Sequence, residues 1–245
     1  MSYDFRAQRL FVREDLHAGA EIEAERGPAN YLLNVLRLKA GDPVLLFNGR
    51  DGEWRAQIAR GGRKSCTLAV EQQMRAQTAP PDLYYLFAPL KQARLDYMVQ
   101  KAVEMGTSRL WPVITHHTQN SRVNLEWMQA NAIEAAEQCG VLTLPEIDAP
   151  AKLADVLAAW PLARRLIVCD EAAPVKSPAE TLASLQPGPA ALLIGPEGGF
   201  SEQERTSFLQ QPYVTALSLG PRILRADTAA VAALALVQAF IGDWR

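Results

Sequence analysis

Beyond Pro80 and Pro81 the chain alternates between short apolar runs and longer stretches whose apolar residues recur at helical spacing. The short runs are LYYLFA, RLWPVI, RRLIVC, ALLIG and VTALSLG. The longer stretches are RLDYMVQKAVEMG, LEWMQANAIEAAEQ, EQERTSFLQ and DTAAVAALALVQAF. Continuous apolar runs of this length are typical of strands buried on both faces, and intervening helices allow parallel pairing. The alternation therefore predicts an α/β domain with a mostly parallel sheet and helices on both faces.

In such a sheet, ligands bind in loops at the carboxyl ends of strands. One such loop follows the run ALLI, where Gly195, Gly198 and Gly199 permit unusual backbone angles and close approach of a ligand. Ser201 and Glu204 have the spacing of a capping box, which predicts a helix that begins at Ser201. The loop has neither the Lys-Ser or Lys-Thr pair of a P-loop nor the spacing of a dinucleotide motif, which disfavours triphosphate binding. A purely structural turn is the alternative.

A second segment, VTALSLGPRILRADTAA, repeats this arrangement. Its strand-like run ends in a Gly-Pro turn at Gly220, and Asp227 or Thr228 is predicted to cap the nearly all-apolar helix that follows. Two such turns, each following a buried strand, would form two sides of one pocket. Arg222 and Arg225 flank the second turn and would face a charged or polar reactant.

The first third of the chain has a different pattern of apolar residues. From residue 9 to about 71, short apolar runs are separated by the hairpin-type pairs Asn48-Gly49 and Asp51-Gly52. This pattern predicts a small β-barrel or sheet, interrupted by one helix at residues 29–38. The polar segment QQMRAQTAPPD that follows is predicted to be a linker.

The formal net charge of the chain is -2, but the charge is unevenly distributed. Residues 26–75 carry nine basic and four acidic residues, a net charge of +5. A polyanion is one partner that fits this segment, and an ordinary solvated surface of mixed charge is the alternative. The basic residues are Arg26, Arg37, Lys39, Arg50, Arg55, Arg60, Arg63, Lys64 and Arg75.

Cysteine usage and hydropathy point to the cytoplasm. The three cysteines are far apart and lack the paired spacing of zinc or redox motifs. The N-terminus MSYDFRAQRLFV has acid and Arg where a signal peptide needs an apolar core. The most apolar helix candidate, residues 229–241, is interrupted by Gln238 and is shorter than the roughly 18 to 20 residues of a membrane span. We therefore expect no membrane association.

His116 and His117 are the only adjacent histidines and raise the question of a metal site or a base. On a strand they would point to opposite faces, and no Cys or acidic partner is evident nearby in the sequence. The sequence therefore predicts no metal site.

The segments IGPEGGFSEQE and LSLGPRILRADTA resemble the paired signature of the bacterial small-subunit ribosomal RNA uridine N3-methyltransferases, which belong to the SPOUT class of S-adenosylmethionine-dependent enzymes. The similarity extends across the chain. RLFV, NVLRLKAGDPVLLFNGRDGEWRAQI, LKQARLDYMVQKAVEMGTSRLWPVIT and EAAEQCG also resemble segments of this family.

The resemblance implies a fold that periodicity alone would not give. It implies a PUA-like, RNA-binding β-barrel at residues 1–73 and a SPOUT methyltransferase domain at residues 80–245, whose mostly parallel sheet with helices on both faces is tied in a trefoil knot. Knots are nearly absent from protein folds. It also implies a homodimer in which S-adenosyl-L-methionine sits, bent, in the knot loops. The cofactor-binding residues carried over are Ile194, Gly195, Pro196, Glu197, Gly198, Gly199, Leu219, Gly220, Ile223, Leu224, Arg225 and Thr228.

The implied partner is ribosomal RNA or the small ribosomal subunit. Lys91, Arg94 and Lys101 would follow a phosphate backbone along one helix, although a solvated helix face is the alternative. Glu197, near a predicted helix start, is interpreted as structural. The RNA-binding residues predicted in this way are Arg37, Lys39, Lys91, Arg94, Lys101, Arg122 and Arg222.

Neither signature loop contains a histidine, so the proposed catalytic residues are a cation and a carboxylate. Arg225 would stabilise the uracil anion that forms when N3 loses its proton, and Asp227 would orient Arg225. The alternative is that Arg225 ties the loop together or binds a phosphate. A rival function for the whole chain is a non-catalytic RNA-binding ribosome assembly factor that retains the SPOUT fold.

The chain also departs from the family pattern. Members often have a His near Asn30-Tyr31, an Arg near Asn120 and an Arg near Val141, and a Glu usually stands where this chain has Asp227. The first three differences concern the RNA-contacting surface, and the last one preserves the carboxylate.

Overall fold

The computed structural model describes residues 7–62, 65–174 and 177–244 and divides the chain into two compact units. The first unit contains the chain up to residue 79 together with residues 136–144. The second unit contains residues 80–135 and the chain from residue 145 onward.

Hydrogen bonds explain why residues 136–144 belong to the first unit. The backbone N–H of Phe11 donates to the Glu137 carboxylate at 2.9 Å, and the Arg75 guanidinium donates to the Gly140 carbonyl oxygen at 2.9 Å. These residues are distant in sequence, so local patterns gave no sign of the grouping.

The first unit is built on a five-stranded mixed sheet with the order β1-β3-β4-β5-β2, in which only the β1 and β3 pair is parallel. Its core is formed by buried side chains such as Leu32, Leu46, Ile58 and Leu68. The strands are β1 (Arg9–Phe11), β2 (Glu21–Ala24), β3 (Pro43–Phe47), β4 (Glu53–Gly61) and β5 (Cys66–Arg75).

The helix predicted at residues 29–38 lies earlier in the chain than expected. Helix α1 (Arg26–Asn30) continues into a π-helical turn (Tyr31–Val35). Arg37 has a φ of 58°, in the left-handed region, which ends the helical path. The predicted C-terminal boundary of this helix was therefore wrong by about one turn.

The second unit contains seven strands and most of the helical residues. Its strands are β6 (Leu83–Phe87), β7 (Arg109–Ile114), β8 (Glu146–Ile147), β9 (Ala151–Lys152), β10 (Arg165–Cys169), β11 (Ala190–Ile194) and β12 (Val214–Leu217). Its helices are α2 (Gln92–Glu104), α3 (Leu125–Cys139, whose last turn belongs to the first unit), α4 (Leu153–Ala158), α5 (Pro178–Ala183), α6 (Glu202–Leu209) and α7 (Ala226–Phe240).

All strand pairs of this unit are parallel, in the order β12-β10-β11-β6-β7-β8, with β9 paired to β7. The five apolar runs of the sequence form β6, β7, β10, β11 and β12, so the predicted α/β class is confirmed. Strand order and direction do not define how the chain threads, and the trefoil knot stays a prediction.

Helices cover both faces of this sheet. On one face Leu86 and Leu193 pack in a core with Phe208 of α6. On the other face the buried Tyr85 hydroxyl donates to the Met98 sulfur of α2 at 2.8 Å, and α2 packs beside α7. Among the described helices, none is long and apolar enough to cross a bilayer.

Candidate active site

Five loops of the second unit leave the same edge of its sheet. They follow the carboxyl ends of β6, β7, β10, β11 and β12, which are mutually parallel. The loop after β11, residues 194–199, is called the first glycine loop below, and residues 219–228, after β12, form the second glycine loop. The strands β11 and β12 lie on either side of β10, so the two loops flank the end of one strand.

Close packing explains two glycines of the first loop. A Cβ at Gly195 would lie 2.9 Å from the Phe200 ring. Gly199 has a φ of 67° and lies against the Glu171 carboxylate, which a Cβ would overlap. The loop then passes into α6 through the predicted capping box: Ser201 N–H donates to Glu204 Oε2 at 2.9 Å, and Glu204 N–H donates to Ser201 Oγ at 3.3 Å. This prediction is confirmed.

A turn after β7 contacts the first glycine loop. His116 and His117 lie in this turn and not on a strand, so the argument that they point to opposite faces was wrong. His117 Nδ1 lies 3.2 Å from the carbonyl oxygen of Gly199, and a Cβ at Gly198 would lie 3.2 Å from the His117 Cβ. The backbone N–H of His116 donates to Glu204 Oε1 at 2.7 Å.

Helix α2 contacts the same loop through an ion pair. The Arg94 guanidinium donates to the Glu197 carboxylate, and both side chains are partly exposed. Glu197 precedes α6 by several residues, so its partner is this cation and not the helix dipole. Farther along α2, Lys101 pairs with Glu104 at 2.6 Å.

The second glycine loop is open. Gly220 has a φ of 98°, and apart from Gly220 and its two chain neighbours no heavy atom of the described residues lies within 4 Å of the position that a Cβ would take. Ile223 is 96 % exposed, which is unusual for a large apolar side chain. A cavity of about 430 Å³ adjoins the start of this loop; its lining is Pro174, Glu180, Thr181, Ser184, Ala216 and Ser218.

Helix α7 begins two to three residues before the predicted position. Arg225 is its N-cap residue, with extended backbone and no side-chain capping bond, so the prediction of Asp227 or Thr228 as the cap was wrong. Asp227 lies in the first turn, where its carboxylate accepts a hydrogen bond from the Thr228 N–H at 2.8 Å. A negative charge at this end of a helix interacts favourably with the helix dipole. Arg225 is exposed, and among the described residues it forms no ion pair with Asp227.

A buried ion pair fixes the end of β10 between the two loops. Arg205 of α6 donates to both carboxylate oxygens of Asp170, at 2.8 and 2.9 Å, and the Asp170 side chain is 2 % exposed. Hydrogen bonding to Asp170 raises the pKa of Arg205 above its ordinary value. Sequence reasoning missed this pair, because the two residues are 35 positions apart.

Two nearby groups that titrate in other proteins are held neutral. Burial, and then the Asp170 charge, raises the pKa of the Cys169 thiol to about 12, so this thiol is no nucleophile at neutral pH. Burial is the main cause that raises the pKa of Tyr85 well above its ordinary value, and the neighbouring Asp227 carboxylate adds to it. Neither group exchanges protons in the neutral range.

The predicted RNA-binding residues fall in different places. Arg37 and Lys39 are exposed in the first unit, and Arg63 and Lys64 of the same basic segment lie outside the described residues. Lys91, Arg122 and Arg222 are exposed in the second unit, where Arg94 and Lys101 are engaged in the ion pairs above. Within the described ranges, no group of three or more His, Cys, Asp or Glu side chains is arranged to hold a metal ion.

Comparison with protein families finds two matches. Residues 77–238 match an RNA methyltransferase domain, and residues 29–71 match an RNA methyltransferase PUA domain. A protein of Rickettsia conorii named ribosomal RNA small subunit methyltransferase E is 32 % identical over 231 residues, which cover 94 % of each chain.

Solved structures agree with this similarity. The ribosomal RNA small subunit methyltransferase E of Neisseria gonorrhoeae, bound to S-adenosyl methionine, superposes with a TM-score of 0.88 at 25 % identity, over 98 % of this chain and all of that one. A Legionella pneumophila protein solved with bound cofactor SAM gives a TM-score of 0.85 at 30 % identity, over 97 % of this chain and 99 % of that one.

Proposed function

This chain belongs to the RNA methyltransferase family that includes the ribosomal RNA small subunit methyltransferases E, and on that premise we propose that it transfers the methyl group of S-adenosyl-L-methionine to N3 of a uridine in small-subunit ribosomal RNA.

The observation that carries this proposal is the pair of glycine loops at one edge of the parallel sheet, on either side of β10. An RNA-modifying enzyme of this fold needs a site for its methyl donor, and such sites lie at the carboxyl ends of strands. The buried Asp170 and Arg205 pair holds the intervening strand end in place. A strand end held in this way suits a site that must align two reactants.

The two loops are the proposed cofactor-binding residues, 194–199 with 219, 220, 223–225 and 228. Their composition fits an adenine nucleoside. Ile223 and Leu224 offer apolar contact to a planar ring, the open space at Gly220 leaves room beside the backbone, and backbone amides and carbonyls supply hydrogen bonds. When bound, the cofactor supplies an activated methyl group as the electrophile.

The chemical difficulty lies on the RNA side. N3 of uracil is flanked by two carbonyl groups, so it becomes a good nucleophile only as it loses its proton, and the charge then spreads onto both oxygens. The exposed guanidinium of Arg225, within the second glycine loop, is proposed to stabilise this anion by charge-assisted hydrogen bonds. Asp227, whose carboxylate accepts the Thr228 N–H and is not paired with Arg225 in the described structure, is proposed to orient Arg225 once RNA is bound.

RNA binding is proposed to involve both units. The proposed PUA-like domain, residues 1–73, lies in the first unit and contributes Arg37 and Lys39. The proposed methyltransferase domain, residues 80–245, contributes the rest. Arg94 and Lys101 would exchange their carboxylate partners for phosphates. Their net contribution to affinity is therefore expected to be smaller than that of cations with no ion pair in the described part of the chain. The remaining proposed contacts are Lys91, Arg122 and Arg222.

The working form is proposed to be a cytoplasmic homodimer, because the proposed substrate is ribosomal RNA or the small ribosomal subunit and the resemblance to the SPOUT class implies a homodimer. No metal is proposed, since a sulfonium methyl group is already an activated electrophile.

A non-catalytic RNA-binding assembly factor is the rival function. Equilibrium binding of S-adenosyl-L-methionine to the purified chain, measured by isothermal titration calorimetry, separates the two. We expect saturable binding with about one cofactor per chain and competition by S-adenosylhomocysteine. A folded protein that binds small-subunit RNA but no cofactor would support the assembly factor and overturn the enzyme.

A further inference from the structure

The turn after β7 presents an imidazole to the first glycine loop. Its backbone is fixed by its own side chains: the Thr115 N–H donates to the Thr118 hydroxyl at 2.8 Å, and the Thr118 N–H donates to the Thr115 carbonyl at 3.1 Å. The turn is also tied to α6 through the bond from the His116 N–H to Glu204. Bonds within the turn and the bond to α6 therefore hold His117 in place.

The contact with Gly199 determines which ring nitrogen of His117 carries the proton. A carbonyl oxygen can only accept a hydrogen bond, so Nδ1, at 3.2 Å from it, is the donor. In the neutral ring Nε2 then has the free lone pair. His117 as a whole is exposed, so this lone pair is open to a ligand at the edge where the cofactor loops lie.

We propose that His117 is the general base of the reaction and that its Nε2 removes the N3 proton of the target uridine. This inference rests on the proposed function and deepens it, because the glycine loops themselves contain no histidine. It supplies the proton acceptor that anion stabilisation by Arg225 leaves unassigned. An oriented imidazole is the side chain best suited to accept a proton near neutral pH.

The proposed step moves one proton and one methyl group. The N3–H bond of uracil breaks, its electron pair stays on the ring, and its proton passes to Nε2. The N3 pair forms the new bond to the methyl carbon as the bond between that carbon and the sulfonium sulfur breaks, with its electrons left on sulfur. The imidazolium of His117 afterwards returns the proton to water.

The charged and titratable groups around His117 come from its own turn and from four other segments: the loop after β10, α6, the first glycine loop and α2. The His116 ring lies edge-on to His117 with centroids 4.7 Å apart, Glu171 lies against Gly199, and Glu204 accepts the His116 N–H. Glu197 is paired with Arg94. Ordinary carboxyl and guanidinium groups keep their charge between about pH 6 and pH 9, so a transition in that range is assigned to an imidazole and tested at each of the two histidines.

The decisive variant is His117→Asn, with His116→Asn as its matched control. The Asn amide is placed to donate to the Gly199 carbonyl as Nδ1 does, while it has no counterpart of Nε2. Single-turnover methyl transfer is measured between pH 5.5 and 9.5 with saturating cofactor and RNA. For the wild type we expect a rate that rises with pH and then levels within this range. For His117→Asn we expect a loss of about 10²-fold or more at pH 7 and a rate that keeps climbing with pH as the uracil ionises unaided.

Three further measurements separate a base from a positioning residue. The cofactor dissociation constant of His117→Asn is expected to stay within about threefold of wild type, and His116→Asn is expected to keep the wild-type pH profile. Nitrogen NMR of the three histidines, with His117 assigned through the variant, is expected to show the Nδ1–H tautomer in the neutral ring.

A wild-type rate and pH profile in His117→Asn, or an Nε2–H tautomer of His117, would overturn the assignment and leave the proposed function intact. The same holds if the variant binds cofactor weakly but reaches the wild-type rate at saturation, since His117 would then only position the loop. A wild-type protein that binds the cofactor and small-subunit RNA but transfers no methyl group would overturn the proposed function and this inference with it.

Discussion

The proposed role of Arg225 in stabilising the uracil anion can be tested by a single substitution. Replacement by Lys keeps the charge but removes the planar, two-pronged donor, so it should weaken stabilisation of an anion spread over two oxygens. With both substrates saturating, we expect the Arg225→Lys single-turnover rate to fall by roughly 10²-fold at every pH, with little change in either affinity. Arg222→Lys, in the same loop, should change RNA affinity alone. Loss of RNA affinity without loss of rate in Arg225→Lys would make Arg225 a binding residue.

Asp51 makes a residue-scale prediction about stability. The Leu16 N–H donates to its carboxylate at 2.9 Å and the Asn48 amide donates at 2.6 Å, and these bonds lower the pKa of Asp51. A lowered folded-state pKa stabilises the protein above the unfolded pKa of about 4, and this contribution is lost as pH falls through the folded value.

Asp51→Asn should therefore destabilise the chain by about 1 kcal/mol at pH 7 in urea unfolding, and the difference from wild type should shrink below about pH 4. Asp15→Asn is the control, because Asp15 is 86 % exposed in its ion pair with Arg50 and should cost little. A pH-independent effect of Asp51→Asn would contradict the account.

At the scale of elements, the second glycine loop can be tested with a matched pair of glycines. Gly220 and Gly41 both have left-handed φ, 98° and 89°, and neither has a heavy atom near its missing Cβ. A Val at either position should impose a similar backbone strain of about 1 to 2 kcal/mol. Only Gly220→Val should abolish cofactor binding in calorimetry. Equal affinity in folded Gly220→Val and Gly41→Val proteins would remove the loop from the site.

The first glycine loop responds to the same change for a different reason. A side chain at Gly198 meets the His117 Cβ at 3.2 Å, so Gly198→Val should displace the turn after β7 as well as the loop. We expect loss of cofactor binding in a folded protein. Retention of wild-type affinity would show that the loop can move without affecting the site.

Local sequence signals predicted the elements well wherever neighbours in sequence decide the outcome. The run ALLI forms β11, and Ser201 with Glu204 caps α6 as their spacing indicates. The start of α7 was missed because Arg225 caps it through backbone geometry, without a side-chain bond. The contacts of His117 with Gly199 and of Asp170 with Arg205 join residues 82 and 35 positions apart, and only the order of the strands brings them together.

At the scale of the whole molecule, the basic segment of the first unit is expected to contribute electrostatically to RNA binding. The logarithm of the affinity for small-subunit RNA should fall linearly with the logarithm of salt concentration. Arg37→Gln and Lys39→Gln should each reduce the slope by about 1, while the exposed Arg13→Gln, outside the segment, should leave it unchanged. Wild-type slopes in both test variants would remove these residues from the RNA surface. The full chain is needed, because residues 136–144 belong to the first unit and a cut at Pro80 would strip them of their partners.

The central claim is tested most directly by the product. The purified chain is incubated with S-adenosyl-L-methionine carrying a labelled methyl group and with small ribosomal subunits or their RNA from cells that lack this protein. The RNA is then digested to nucleosides for mass spectrometry. We expect labelled N3-methyluridine, about one per small-subunit RNA, and none in large-subunit RNA. A label on another atom or in another RNA, or none despite measured binding of cofactor and RNA, would contradict it.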